Sequence, residues 1–202
     1  MIKKGYNPIY HLINFIRMTT IITITGDLGS GKSTVSNLLK ERLNFDYVYT
    51  GRIQREIANR YHMTTLELNE YAETHPEIDE EIDATFKSLS ESSNLVVDSR
   101  MAWFFIPQSF KVYLKTELAV AINRISCDGE RINESYASIE EASAQIIARK
   151  ESENRRYLEL YGVDCADMSH FDLMIDTSLI TPEQVVDTII AGYNHFLTAF
   201  AF

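Results

Sequence analysis

Cysteine is scarce in this 202-residue chain, with only Cys127 and Cys165 present. They lie far apart and form no Cys-x-x-Cys, so neither a disulfide framework nor a cysteine zinc site is available, and they read as reduced thiols of a cytosolic protein. Positive charge is also short. Lys and Arg number 19 against 29 Asp and Glu, a net charge of −10, which argues against a broad nucleic-acid surface and leaves room only for a local basic pocket. No apolar run approaches the roughly 18 residues of a membrane span. The opening "MIKKGYNPIYHLINFIR" starts with lysines, but Tyr, Asn, Pro and His interrupt it and no small-residue cleavage site follows, so it does not read as a signal peptide. Met18 stands just before the first strand candidate. Residues 1–17 are therefore expected to be a dispensable extension, with an added helix as the other reading.

Glycine is sparse too. Of eight glycines, three (Gly26, Gly29 and Gly31) crowd into "ITGDLGSGKST", residues 24–34. The hydrophobic share of 45% suits one ordinary globular core, and the rest of the pattern says how it is arranged. Short β-branched runs alternate with helical periodicity. Strands are predicted at 20–25, 47–50, 94–98, 110–115 and 171–176. Several are apolar on both faces and all are separated by segments long enough for crossovers, which predicts a doubly wound, five-stranded parallel sheet with helices on both faces. "TTLE" (64–67), "SIEE" (138–141) and "TPEQ" (181–184) read as helix-start boxes. Val35, Leu38, Leu39 and Leu43 mark one helix face, and Ile78, Ile82, Phe86 and Leu89 another. The stretches near 51–93 and 125–157 look like insertions into a single domain covering 18–202.

The glycine cluster has a chemical reading. Gly26, Gly31, Lys32 and Ser33 fit G-x-x-x-x-G-K-[ST], between a strand and a helix. Backbone N–H groups of Gly26, Asp27, Leu28, Gly29, Ser30, Gly31, Lys32, Ser33 and Thr34 are expected to cradle ATP phosphates at a helix N-terminus. Lys32 would reach the β- and γ-phosphates and the Ser33 hydroxyl would hold Mg²⁺. The glycines are expected there because side chains would obstruct a phosphate.

With "TGRIQRE" (50–56), "YAETHPEIDEEID" (71–83), "VVDSR" (96–100), "RKESENRRY" (149–157), "YG" (161–162) and "DLMIDTS" (172–178) in order behind that loop, the chain resembles the cytidylate kinases, in particular their short archaeal form. The resemblance covers about 18–192 and implies a P-loop kinase with a helical monophosphate-binding insertion and a small lid, taking ATP and CMP or dCMP with Mg²⁺. It implies that Thr50 and Arg55 grip the monophosphate, Arg being apt because its planar fork binds phosphate bidentately. It makes Asp98 the residue that holds Mg²⁺ through water, and Arg100 a phosphate ligand. Ser99 departs from the family's Asp-Gly-Arg, and Asp98 as the cap of the following helix is the other reading.

Arg149 and Arg156, seven residues apart, return to nearly one helix face with Glu153 one turn from Arg149. The resemblance makes this the lid over the phosphates, with Glu153 in place of the family's Asp; the bland reading is a salt-laced surface helix. Arg155 points elsewhere, and Arg52 and Arg60 read as solvated. Arg124 resembles a family arginine near the ATP phosphates or adenine, and "DTS" (176–178) part of the adenine loop. Glu70, Asp79 and Asp83 are candidates to receive the cytosine amino group, against the plain reading of solvated helix carboxylates.

An attacking CMP phosphate needs no strong base, since its second pKa is about 6. The arginines and Lys32 would instead offset the repulsion of two polyanions. The expectation is a cytoplasmic monomer with no nucleic-acid or membrane partner. The competing functions are a P-loop kinase for another nucleotide or small phosphorylated acceptor, and a nucleotide-dependent binding or assembly factor with weak ATPase activity.

Overall fold

The computed structural model describes residues 20–63, 65–72, 74–126 and 138–199. The expected extension 1–17, Met18, the Thr64 cap and Cys127 lie outside the described residues, as do the side chains of Glu70, Arg149 and Glu153.

The chain runs β1 (Ile21–Gly26), α1 (Lys32–Leu43), β2 (Asp46–Tyr49), α2 (Thr50–Arg60), α3 (Thr65–Ala72), α4 (Pro76–Leu89), β3 (Leu95–Asp98) and α5 (Ala102–Phe105). It continues through β4 (Phe110–Lys115), α6 (Leu118–Ser126), α7 (Ile139–Tyr161), a 3₁₀ turn (Met168–His170), β5 (Leu173–Asp176) and α8 (Pro182–Ala199). The sheet order is β2-β3-β1-β4-β5, and every neighbouring pair is parallel. This is the expected five-stranded doubly wound sheet.

Alternation along the strands explains the two helical layers. Ile22, Ile24, Val96, Val112 and Leu114 face one side, where Val35 and Leu39 of α1 and Val186 and Ile189 of α8 cover them. Ile21, Leu95 and Val97 face the other side, against Ile53 and Ile57 of α2, Ile78 and Phe86 of α4, and Ile106. Both faces of the central strands are dry, as a covered parallel sheet requires, while the edge strands β2 and β5 are partly exposed. A smaller apolar cluster of Ile122, Ile125, Ala142 and Ile146 joins α6 to α7, with Leu28 packed against it.

Two strand boundaries move for local reasons. Thr50 starts α2 instead of ending β2, with Tyr49 still extended as its N-cap. Phe171 and Asp172 precede β5 because the Asp167 carboxylate accepts from Ser169 N at 2.9 Å and winds 168–170 into the 3₁₀ turn. Helix starts follow the boxes. Ser138 Oγ accepts from Glu141 N at 3.1 Å. Thr181 N donates to Gln184 Oε1 at 2.9 Å while Gln184 N donates to Thr181 Oγ1 at 3.3 Å, the reciprocal pair of a capping box. Among the described residues no helix is long and apolar enough to cross a membrane.

Candidate functional site

The carboxyl ends of β1 and β3 lie side by side at the centre of the sheet, where an open parallel sheet places its ligand crevice. β1 leads into the glycine loop and that loop into α1. The three glycines have different reasons. A methyl on Gly26 would overlap the carbonyl oxygen of Leu114 and lie within 2.9 Å of its carbonyl carbon. One on Gly29 would lie 2.8 Å from the Ala121 Cα. One on Gly31, at φ +84°, would meet nothing within 4 Å. Only Gly31 therefore leaves its room to a phosphate. Gly26 and Gly29 are glycine so that the protein's own backbone can approach, which corrects the expectation for two of the three.

Gly31 faces a cavity of about 800 Å³ running from the loop past Ser33 and Thr34 to Arg124, Thr177 and Pro182. Arg124 closes one wall. Its guanidinium donates to Gly29 O at 3.3 Å, to Thr177 Oγ1 at 3.2 Å and to Thr177 O at 2.7 Å. The Thr177 hydroxyl lies 3.1 Å from Ser30 O, so the "DTS" segment and the glycine loop are tied directly. Leu28 and Asp27 turn their side chains away from this cavity. Leu28 packs on the α6–α7 cluster, and Asp27 Oδ1 accepts from the Tyr113 hydroxyl at 2.9 Å.

Lys32 Nζ donates to Gly26 O at 3.0 Å and Asp27 O at 2.8 Å, and so lies folded along the loop. Beside it, Asp98 is only 8% exposed. Its Oδ2 accepts from Ser33 Oγ at 3.1 Å and from the Tyr47 hydroxyl at 3.4 Å, and the Thr50 hydroxyl donates to its backbone carbonyl at 3.4 Å. Burial pushes the Asp98 carboxyl up, while Lys32, Ser33, Arg100 and Tyr47 pull the other way without cancelling it. A buried carboxylate beside a hydroxyl, with net desolvation left over, suits a divalent cation shared with phosphate oxygens. Asp98 does not cap the next helix. Ser99 Oγ instead takes the N–H groups leading into it, accepting from Met101 N at 3.2 Å and Ala102 N at 3.3 Å, so the departure from the family's glycine has a local use. Arg100 Nη1 donates to Gly26 O, which lays its guanidinium across the loop.

Tyr49 stacks on Tyr47 with ring centroids 5.5 Å apart, and Arg55 donates to the Tyr49 hydroxyl with its guanidinium 5.2 Å from the ring centre. Arg55 thus stands one aromatic pair away from Asp98. Arg52 pairs with Glu56 at 3.0 Å and Arg60 pairs with Glu81, the surface roles read for them.

The long helix α7 differs from expectation. Arg156 does not project toward the loop: its Nη2 meets both carboxylate oxygens of Asp79 at 2.6 Å. One turn further along α4, Asp83 Oδ1 accepts from the Tyr161 hydroxyl at 3.0 Å, and burial pushes its carboxyl up. Two of the three candidate base receivers, Asp79 and Asp83, are therefore occupied in joining α4 to α7. A charged residue of α7 that does reach the loop is Lys150, whose Nζ lies 2.7 Å from Asp27 Oδ1. Sequence reasoning passed over Lys150, Tyr47 and Tyr113. Each meets its acidic partner across 51 to 123 residues, and aromatics in such strands read simply as core.

Residues 21–179 match the model of the cytidylate kinase-like family. A cytidylate kinase of Pyrococcus furiosus is 35% identical over 87% of this chain and 88% of its own length. One of Sulfolobus acidocaldarius is 38% identical over 84% of this chain and 91% of its own length. Among solved structures, shikimate kinase from Acinetobacter baumannii in complex with shikimate superposes with a TM-score of 0.60 at 16% identity, over 94% of this chain and 99% of that one. Shikimate kinase from Bacteroides thetaiotaomicron gives 0.59 at 18% identity, over 91% and 99%. At such identities these likenesses describe the P-loop kinase fold alone. The family match over most of the chain, together with the relatives at 35–38% identity, means that this chain belongs to the cytidylate kinase-like family.

Proposed function

We propose that the protein transfers the γ-phosphoryl group of ATP to CMP or dCMP, forming the nucleoside diphosphate and ADP. The observation that carries this reading is the meeting of Lys32, Ser33, Asp98 and Arg100 at the carboxyl ends of β1 and β3, with Arg55 beyond Tyr49, in a chain whose relatives are cytidylate kinases. ATP phosphates enter the cavity at Gly31, with Lys32 on the β- and γ-groups and Arg124 at the adenine end. Ser33 and Asp98 would hold Mg²⁺, which supplies charge neutralisation at the β- and γ-phosphates when bound. Arg55, with Thr50 at the start of the same helix, grips the acceptor phosphate, and Arg100 spans both substrates.

An acceptor phosphate oxygen forms the new bond to the γ-phosphorus as the bond to the β-bridging oxygen breaks. No base is required, because the acceptor is largely ionised at neutral pH, its second pKa being about 6. The protein's work is alignment and charge compensation. In this reading residues about 51–93 are the monophosphate-binding insertion, and about 125–157 the lid that carries Arg149 and Arg156. Both substrates are intracellular nucleotides, so the reading places the enzyme in the cytoplasm.

The test is ADP release with a panel of acceptors at fixed ATP. CMP or dCMP is expected to give the highest kcat/KM, with UMP weaker and AMP and GMP poor. A preference for AMP or for a non-nucleotide acceptor would remove the cytidylate assignment, and acceptor-independent ATP hydrolysis alone would remove the kinase assignment.

A further inference from the structure

Asp27 is a built acceptor on the back of the phosphate loop. Its side chain is 16% exposed. Oδ1 takes the Tyr113 hydroxyl at 2.9 Å, and Oδ2 takes the Thr116 amide at 3.1 Å. Both donors sit at the end of β4, so the carboxylate is fixed to the sheet. Its remaining donor comes from elsewhere: Lys150, in the middle of α7, reaches Oδ1 at 2.7 Å. Burial works against ionising Asp27, but the hydrogen bonds from Lys150 and Thr116 and the charge of Lys150 outweigh it and hold the carboxyl below its usual range.

The packing around this contact is incomplete. A second cavity, of about 190 Å³, lies between the loop and α7, walled by Leu28, Leu118, Ala121, Ile146 and Ile147 and reached by Asp27 and Lys150. Apolar contact at this seam is limited to Leu28 on the α6–α7 cluster, and the ion pair adds the charged tie between α7 and the loop among the described residues. Two further polar ties of α7 go to α4, through Arg156 to Asp79 and Tyr161 to Asp83. The helix thus spans from the phosphate loop to the insertion, with Lys150 and Arg156 about 9 Å apart along its axis.

We propose that Lys150 is a positioning residue: its ammonium, seated on Asp27, sets the rotation and height of α7 over the phosphate loop. A slip of one residue turns a helix by about 100° and moves it about 1.5 Å, enough to misdirect every side chain it carries. Resting on the reading of α7 as the lid, this makes Lys150 act on phosphoryl transfer through the arginines of its helix and not by touching substrate.

The experiment uses the full chain and two readouts, steady-state kinetics with ATP and CMP and amide hydrogen exchange across residues 139–161. The variants are Lys150→Met, Lys150→Arg, Asp27→Asn and the Lys150→Met/Asp27→Asn double. Lys150→Met is expected to lower kcat about two- to fivefold, the range of a partly exposed ion pair, with KM for ATP nearly unchanged. Exchange in 139–161 should quicken by a similar factor. Lys150→Arg should restore both, and the double variant should be no worse than Lys150→Met. Wild-type kcat and exchange in Lys150→Met would overturn the proposal. So would a fall in kcat with exchange unchanged, or an arginine as poor as methionine, since either makes the ammonium a direct substrate contact. If the wild-type chain transfers nothing to CMP while exchange still responds to Lys150→Met, the lid function fails and the tie itself stands.

Discussion

The two ends of the glycine loop should respond in opposite ways to one added methyl. At Gly26, paired with Leu114 across β1 and β4, an alanine Cβ would overlap the Leu114 carbonyl oxygen and press on backbone atoms that cannot rotate aside. The same carbonyl accepts from Asp27 N at 2.9 Å, so parting the strands also loses a hydrogen bond. Overpacking of this kind costs about 1–3 kcal/mol. The strained backbone at φ +153° adds about 1–3, and the lost bond about 1. The sum, about 3–7 kcal/mol, is a large part of the stability of an ordinary domain. At about 2–4 °C per kcal/mol for a chain of this size, Tm should fall by at least ~6 °C. At Gly31 there is no clash, and only the left-handed backbone opposes a side chain, at about 1–2 kcal/mol and ~2–8 °C. That methyl, however, stands in the space a phosphate would fill. ATP affinity should drop at least about tenfold, as when an interaction of ~1.4 kcal/mol is lost. Thermal melting and calorimetric titration with ATP on both variants decide the matter. A Gly26→Ala protein melting within a degree or two of wild type would refute the packing argument. A Gly31→Ala protein that binds ATP normally would put the phosphates elsewhere.

Asp98→Asn should stabilise the protein while stopping it. The folded-state pKa of Asp98 is raised by burial, so the native state holds its proton more firmly than the unfolded chain and stability falls as pH rises from about 3.9 through the folded value. The amide removes that loss, so Tm at pH 7 should equal or exceed wild type, with no gain at pH 3, whereas turnover should fall about 10²-fold or more. A lower Tm at pH 7 would contradict the burial argument. Lys32→Ala should keep the fold, since Lys32 touches loop carbonyls and no apolar cluster, and should lower kcat about 10²–10³-fold. Near-normal turnover would end the kinase reading. Arg55→Ala should raise KM for CMP about tenfold or more with KM for ATP little changed, while Arg52→Ala, which breaks only a surface pair with Glu56, should match wild type in both. An equal effect of the two substitutions on CMP would remove Arg55 from the acceptor site.

What the sequence made legible was local. Strands with two dry faces, the Ser138 and Thr181 boxes and the glycine loop each depend on residues within a few positions of one another, and all stand within a residue or two of where the pattern placed them. Asp98 could be singled out because a charge ending a buried strand needs compensation, and the structure supplies it from Ser33, Tyr47 and Lys32. The pairings of charged helix residues were not legible. Asp79 and Asp83 carry the spacing of a solvated face, and nothing near them in the chain says that Arg156 and Tyr161 will meet them. The same holds for Lys150, whose partner lies 123 residues away. The glycine loop was half legible. The motif gives the phosphate-binding reason for Gly31, but the reasons for Gly26 and Gly29 are Leu114 and Ala121, which only the packed sheet brings close.

These pairings bear on how an acidic protein receives two polyanions. Among the described residues, each cation of the proposed reaction already has an acceptor within the protein. Lys32 rests on two carbonyls, Arg100 on the Gly26 carbonyl, Arg124 on Gly29 and Thr177, and Arg55 on the Tyr49 hydroxyl. Phosphate binding is then an exchange of acceptors, and its net gain depends on what is given up. Neutral carbonyls and hydroxyls yield readily to an anion, because a charge-assisted bond is about twice as strong as a neutral one. Arg156 is different. Its acceptor, Asp79, is itself an anion at 2.6 Å, so a phosphate must compete on equal terms and α7 must leave α4 for the exchange to occur. On the proposed reading the loop cations would be ready at first encounter, and Arg156 would become available only when α4 and α7 part. On the proposed role of Lys150, its ion pair with Asp27 would keep α7 tied to the loop during that separation and let Arg156 swing toward the loop.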